Sequence, residues 1–226
     1  MFNLKSMGAA RVAGWAAGGL FLMGVLAFGR VMLGKTVPYF SFERALNFLG
    51  TKQDFVLDNP VFMAAFYVHI SSALVVLVVG VFQFFPFILK KKPGLHHFLG
   101  KIYVLGILFL AAPSGMILAK FANGGLTSRV GFTLQTAVWF ALTAAAWWEI
   151  RQRRWLDHTH FMLRSYAVTL AAMSLRTESY WMYYCLGTKP IETYQTVTWL
   201  SWVGNLVVVE CLIYFGLGRR ILAAAR

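Results

Sequence analysis

Four of the five histidines in this chain fall into two close pairs. His96 and His97 follow Lys90-Lys91-Lys92-Pro93-Gly94-Leu95, and His158 and His160 follow Arg153-Arg154-Trp155-Leu156-Asp157. Neutral imidazole is the commonest side-chain ligand for metal and haem iron near pH 7. Two histidines on different helices at one level would clamp a haem iron. Three with a carboxylate, here His96, His158, His160 and Glu210, would hold zinc with a position left for water. The simpler reading places these histidines at helix ends among lipid headgroups.

A second set lies farther from the basic runs. His69 sits about 12 Å into an apolar stretch, at ~1.5 Å of rise per residue. Arg176 and Glu178 fall at a matching level on a later stretch. Ionisable groups inside a membrane span are costly, so they line a site or pair with each other. Both readings stay open for this trio. No HExxH, no GxSxG and no GxGxxG opening a helix after a strand is present.

The elements that must carry these residues follow from composition. Hydrophobic residues make up 59% of the 226 and charged residues only 13%, against about 25% charged in soluble domains. Mean hydropathy is +0.64. These values exclude an ordinary soluble domain and a disordered chain. The formal charge of +13 sits in short loops between apolar runs. That arrangement implies membrane topology and no nucleic-acid partner.

A membrane helix needs about 20 mostly apolar residues, and six runs qualify: 12–33, 61–89, 97–120, 130–148, 159–186 and 194–217. The expected fold is therefore an all-α, six-span helix bundle in one integral-membrane domain. Gly14 and Gly18 offer a small-residue face in the first span. Asp58-Asn59-Pro60 is a helix start, Pro113-Ser114-Gly115 should kink the third span, and Asn123-Gly124-Gly125 reads as a tight turn. Lys5, Arg11, Lys90, Lys91, Lys92, Lys101, Arg151, Arg153, Arg154, Arg219, Arg220 and Arg226 fall on the more densely basic side. Positive-inside logic puts that side, and both termini, in the cytoplasm. Residues 34–60 form the long outer loop, where Phe42, Leu46 and Leu49 repeat at the spacing of a short interfacial helix. Trp147, Trp148, Trp155, Tyr180, Trp181, Tyr183 and Tyr184 suit an interfacial aromatic belt. Cys185 and Cys211 are expected near opposite membrane faces and unpaired.

Two segments resemble a known family. Leu95-His96-His97-Phe98-Leu99-Gly100-Lys101-Ile102-Tyr103 opens one span, and the run from His158 to Thr169, which includes Arg164, Ser165 and Tyr166, opens another and is followed by Arg176. With His69 and Gly80-Val81-Phe82-Gln83, these are similar to the bacterial integral-membrane family catalogued as domain of unknown function 2306, over about residues 66–176. The layout is distantly similar to membrane cytochromes b, which bind two haems between the helices of a four-helix core. That likeness implies haem b, with His96 and His158 as axial ligands and His69 at an outer site. Lys101 and Arg164 would meet the propionates. The fourth span has no histidine to partner His69, a departure from the cytochrome pattern.

The resemblance implies electron transfer between a quinol and a membrane redox partner in the bacterial cytoplasmic membrane. The competing expectation is a non-catalytic accessory subunit, or a protein that binds lipid or another small molecule. In that case Arg176, Glu178, Glu210, Gln83, Tyr103 and Tyr166 form a structural polar cluster.

Overall fold

The chain begins its first deeply packed helix where Asn59 caps it. The Asn59 side-chain oxygen accepts from the amides of Val61 at 2.9 Å and Phe62 at 3.3 Å, satisfying donors that a helix start leaves free. Pro60 occupies the first turn, where its missing N–H costs nothing.

The computed structural model describes residues 4–225, and within that range the side chains of 4–13, 15 and 225 are outside the description. The side chains of Lys5 and Arg11, and the whole of Arg226, counted above toward the inner side, therefore lie outside the described residues.

The architecture is all-helical. In order, the helices are α1 (Leu4–Thr36), α2 (Asp54–Leu57), α3 (Pro60–Val81), α4 (Pro86–Lys91), α5 (Pro93–Leu105), α6 (Ala112–Lys120), α7 (Gly125–Arg151), α8 (Trp155–Thr169), α9 (Ala171–Leu186), α10 (Pro190–Tyr214) and α11 (Leu217–Ala225). A π-helical segment, Gly106–Ala111, joins α5 to α6. Five helical stretches are long and apolar enough to cross a membrane: Ala16–Ser41, Pro60–Phe84, Pro93–Lys120, Gly125–Arg151 and Pro190–Tyr214. Large apolar side chains cover their outer faces, among them Leu20, Phe109, Val207 and Val208. A surface of that kind suits lipid.

The expected boundaries shift for identifiable reasons. The second run does not continue to residue 89. Phe85 is extended, with ψ 122°, because Pro86 disfavours a helical residue before it; α4 then starts anew. The fifth run is two helices. The Thr169 hydroxyl donates back to the Ser165 carbonyl at 3.1 Å, a local bond that bends helices, and regular helix lapses at Leu170. The third and fourth runs are extended by the helix starts at Pro93 and Gly125. The sixth stops at Tyr214, and Gly216, at φ +85°, turns the chain into α11. The kink expected at Pro113 takes the form of the π segment just before it.

The helix suggested by the Phe42, Leu46 and Leu49 spacing does not form. Phe42 and Asn47 have positive φ, which breaks a helix there. Leu49 instead buries itself against Tyr39, Phe62 and Phe66, and the Tyr39 hydroxyl accepts from the Phe48 amide at 3.1 Å. The loop is thus folded onto the bundle. A Cβ at Gly14 or Gly18 would meet no atom of another described residue within 4 Å; α1 meets α3 farther along, at Gly29 against Val78.

The two ends of the bundle differ. One, here the terminal end, carries α4, α11 and the 152–154 turn. The other, the loop end, carries residues 42–59 and the 121–124 turn. At the loop end the Lys52 ammonium donates to the Phe121 carbonyl at 2.6 Å and to the Asn123 side-chain oxygen at 2.8 Å. Burial, with the nearby Arg129 charge, lowers the Lys52 pKa to about 8.

Candidate functional site

A run of hydroxyl groups crosses the centre of the helix core. The Tyr103 hydroxyl on α5 lies 3.0 Å from Ser165 Oγ and 2.8 Å from Thr169 Oγ1, both on α8. From α7, Thr143 Oγ1 lies 2.7 Å from Ser165 Oγ, and the Trp139 indole N–H donates to Thr169 Oγ1 at 3.0 Å. Tyr166 donates to the Leu77 carbonyl on α3 at 3.0 Å. The Tyr103 and Tyr166 rings close over Gly80, where a Cβ would stand 2.5–2.6 Å from them. Each of these hydroxyl groups has a partner. In an apolar medium, interhelical hydrogen bonds of this kind fix helix rotation and depth.

The histidines at the terminal end sit just beyond this core. His158 Nδ1 lies 2.8 Å from the Ala146 carbonyl. A carbonyl only accepts, so the proton is on Nδ1 and Nε2 carries the lone pair. A ligating histidine is held in the same way. His96 lies within charge range of His97 and His158, and its Nδ1 is buried without a partner among the described residues. Asn205 donates to the Ala167 carbonyl and accepts from Ser174, and the Ala146 backbone does the orienting.

Arg164 and Glu210 form a two-point ion pair between α8 and α10. Arg164 Nη2 donates to Glu210 Oε2 at 2.9 Å, and Nε donates to Oε1. Those two donors are committed within the protein. His160 packs on Gly218 of α11, with ring atoms 2.5–2.6 Å from where a Cβ would stand. Among the described residues no group of three His, Cys, Asp or Glu side chains converges to hold a metal ion. The zinc constellation of His96, His158, His160 and Glu210 is therefore not assembled. Lys101 is exposed. Gln83 is buried, with its amide nitrogen unpartnered among the described residues and its oxygen against Gly100.

Among the described residues no hydrogen bond or ion pair joins His69 to Arg176 or Glu178. His69 Nδ1 donates to the Ala111 carbonyl at 2.9 Å, where the π segment ends, and its ring lies against Gly115. Arg176 instead donates to Ala172 of its own helix at 2.8 Å and lies over the Phe28 ring. Glu178 Oε2 is buried without a described partner. No ion pair joins Arg176 to Glu178 among the described residues. Cys185 and Cys211 are both free and exposed.

The sequence points to Tyr103 and Tyr166 as polar-cluster residues, and to Ser165 and Thr169 only as part of the segment that carries the family resemblance; it does not single out Thr143 or Trp139. A signal existed: Ser165 and Thr169 stand four apart, on one face of a helix, as do Trp139 and Thr143.

The polar core, the His96–His158 end and the Arg164–Glu210 pair all lie inside one matched region. Residues 66–213 match the family described as predicted membrane protein DUF2306. The chain belongs to this family. The match runs beyond the 66–176 segment that carried the resemblance and includes α10 with Glu210. No curated protein and no solved structure matches the chain. For this DUF2306 protein, a membrane-embedded helical bundle is the established character. All of α1, the loop-end cap below residue 66, and α11 lie outside the family match.

Proposed function

We propose that this DUF2306 protein is a multi-pass protein of the bacterial cytoplasmic membrane that binds haem b at its terminal end and moves electrons between a quinol and a membrane partner. One observation carries the reading. His158 is held by the Ala146 carbonyl at 2.8 Å with Nε2 left as a bare acceptor, beside a His96 whose buried Nδ1 has no partner. An oriented imidazole within charge range of an orphaned one is a donor set that would hold haem iron. Haem would supply one-electron chemistry. The residues of this chain would do the rest. His158 and His96 would hold the iron, and Lys101, exposed one turn beyond His97, would meet a propionate. The hydroxyl core would fix the spacing between α5 and α8.

The test is an absorbance spectrum of the full chain, purified in mild detergent from cells supplied with haem, first air-oxidised and then dithionite-reduced. A Soret band that shifts on reduction is expected. A featureless visible spectrum overturns the proposal.

A second reading, a colourless accessory or lipid-binding membrane protein, draws support from the polar core. Its hydroxyl groups satisfy one another, and Arg164 is neutralised by Glu210. Both features suit a purely structural scaffold. Copurification of a stoichiometric membrane partner with a haem-free protein would favour it.

A further inference from the structure

Where α6 ends and α7 begins, a cavity of about 360 Å³ opens between Lys120, Arg129, Val130, Thr133 and Leu134. Residues 129, 130, 133 and 134 form one stripe of α7, since positions four apart share a helix face. Lys120 and Arg129 are both exposed. The ion pairs among the described residues are Arg44–Asp58, Arg154–Glu149 and Arg164–Glu210, so neither cation of the cavity is neutralised by a described carboxylate. Positive charge accumulates further here, because Arg129 lies close enough to Lys52 to disfavour its ammonium. The complementary ligand is an anion.

Depth decides which kind. Lys120 is the last residue of one membrane-length stretch, and Arg129 lies in the second turn of the next, which is headgroup level. From there Val130 and Leu134, 40% and 44% exposed, continue the stripe toward the bilayer centre. A free phosphate would use only the cationic rim, whereas a phospholipid uses the rim and the apolar stripe together. We propose that Lys120 and Arg129 form the headgroup site of an anionic phospholipid, with Thr133 as a further donor and Val130 and Leu134 against an acyl chain. The site is at the loop end and is independent of the histidine pair.

The experiment uses the full chain reconstituted in vesicles of equal parts phosphatidylcholine and phosphatidylglycerol. Retained lipid is counted by native mass spectrometry after extraction into detergent. Wild type is expected to keep phosphatidylglycerol in preference to phosphatidylcholine. Lys120→Gln and Arg129→Gln should each lower that preference roughly fivefold. Lys120→Arg should keep it, which separates loss of charge from loss of fold, and Lys90→Gln with Lys91→Gln at the terminal end should leave it intact. A wild type without preference, or a Lys120→Gln/Arg129→Gln double variant that retains phosphatidylglycerol as wild type does, overturns the site. Displacement of the lipid by millimolar glycerol 3-phosphate would overturn the lipid assignment in favour of a free phosphate monoester.

Discussion

The His158 ring donates its Nδ1 proton to the Ala146 carbonyl across 2.8 Å, so α7 sets the direction in which α8 presents its imidazole. Arg154, just before α8, pairs with Glu149 near the end of α7. The turn between these helices is therefore closed by contacts from both sides of it.

If His158 and His96 hold the haem iron, His158→Ala and His96→Ala should each abolish the visible haem spectrum. His69→Ala should leave it unchanged, because His69 lies in a different neighbourhood, on Ala111. A spectrum that survives both terminal-end variants would remove the ligand assignment.

Thr169 serves more partners than Tyr103 does. Thr169→Val leaves the Trp139 indole N–H without its bond and the Tyr103 hydroxyl with Ser165 alone, whereas after Tyr103→Phe the residues Ser165 and Thr169 keep other partners. Stranding a buried donor costs about 1–3 kcal/mol; each variant also loses two interhelical bonds, at about 0.6 kcal/mol apiece, so only the stranded indole separates them. Denaturant titration in mixed micelles should therefore rank Thr169→Val as the more damaging. The reverse order would show that the network is not organised around Thr169.

Gly80→Ala should destabilise the bundle by about 1–3 kcal/mol, since the added methyl meets both tyrosine rings at 2.5–2.6 Å. Gly18→Ala, whose added methyl meets no described neighbour within 4 Å, should be neutral or slightly stabilising through helix propensity. Thermal melts of the two variants check this, and equal effects would contradict the close approach at Gly80.

For Arg164 and Glu210, a double-mutant cycle with Arg164→Met and Glu210→Gln should give a coupling energy of about 1 kcal/mol. The partners are 24% and 49% exposed, so most of that value comes from the paired donor geometry. A coupling of zero would mean that the contact contributes nothing to α8–α10 docking.

Lys52 gives a pH dependence with a definite sign. Its pKa is lowered from 10.5 to about 8 in the folded protein, so between those values the unfolded chain binds more protons. Stability contributed by this group therefore rises as pH increases from about 8 to 10.5. The melting temperature of wild type minus that of Lys52→Gln should increase across this window. A flat difference would mean that Lys52 keeps its ordinary pKa.

The sequence by itself determined that this is an all-helical membrane protein, because apolar run length answers to bilayer thickness and needs no tertiary contact to read. It also marked local punctuation: Asn59-Pro60 as a helix start and Gly124-Gly125, both at positive φ, as a turn. The residue types of the candidate site were legible too, since histidine, arginine and glutamate stand out among apolar neighbours. Which of them meet is settled by helix packing. Arg164 and Glu210 are 46 residues apart in the chain. His69 turns to a carbonyl freed near a π segment and not to Arg176. The loop that was expected on the membrane surface tucks Leu49 under the bundle instead. These outcomes depend on the rotation and depth of each helix against its neighbours, and helical periodicity fixes which residues share a face without fixing which face meets which partner.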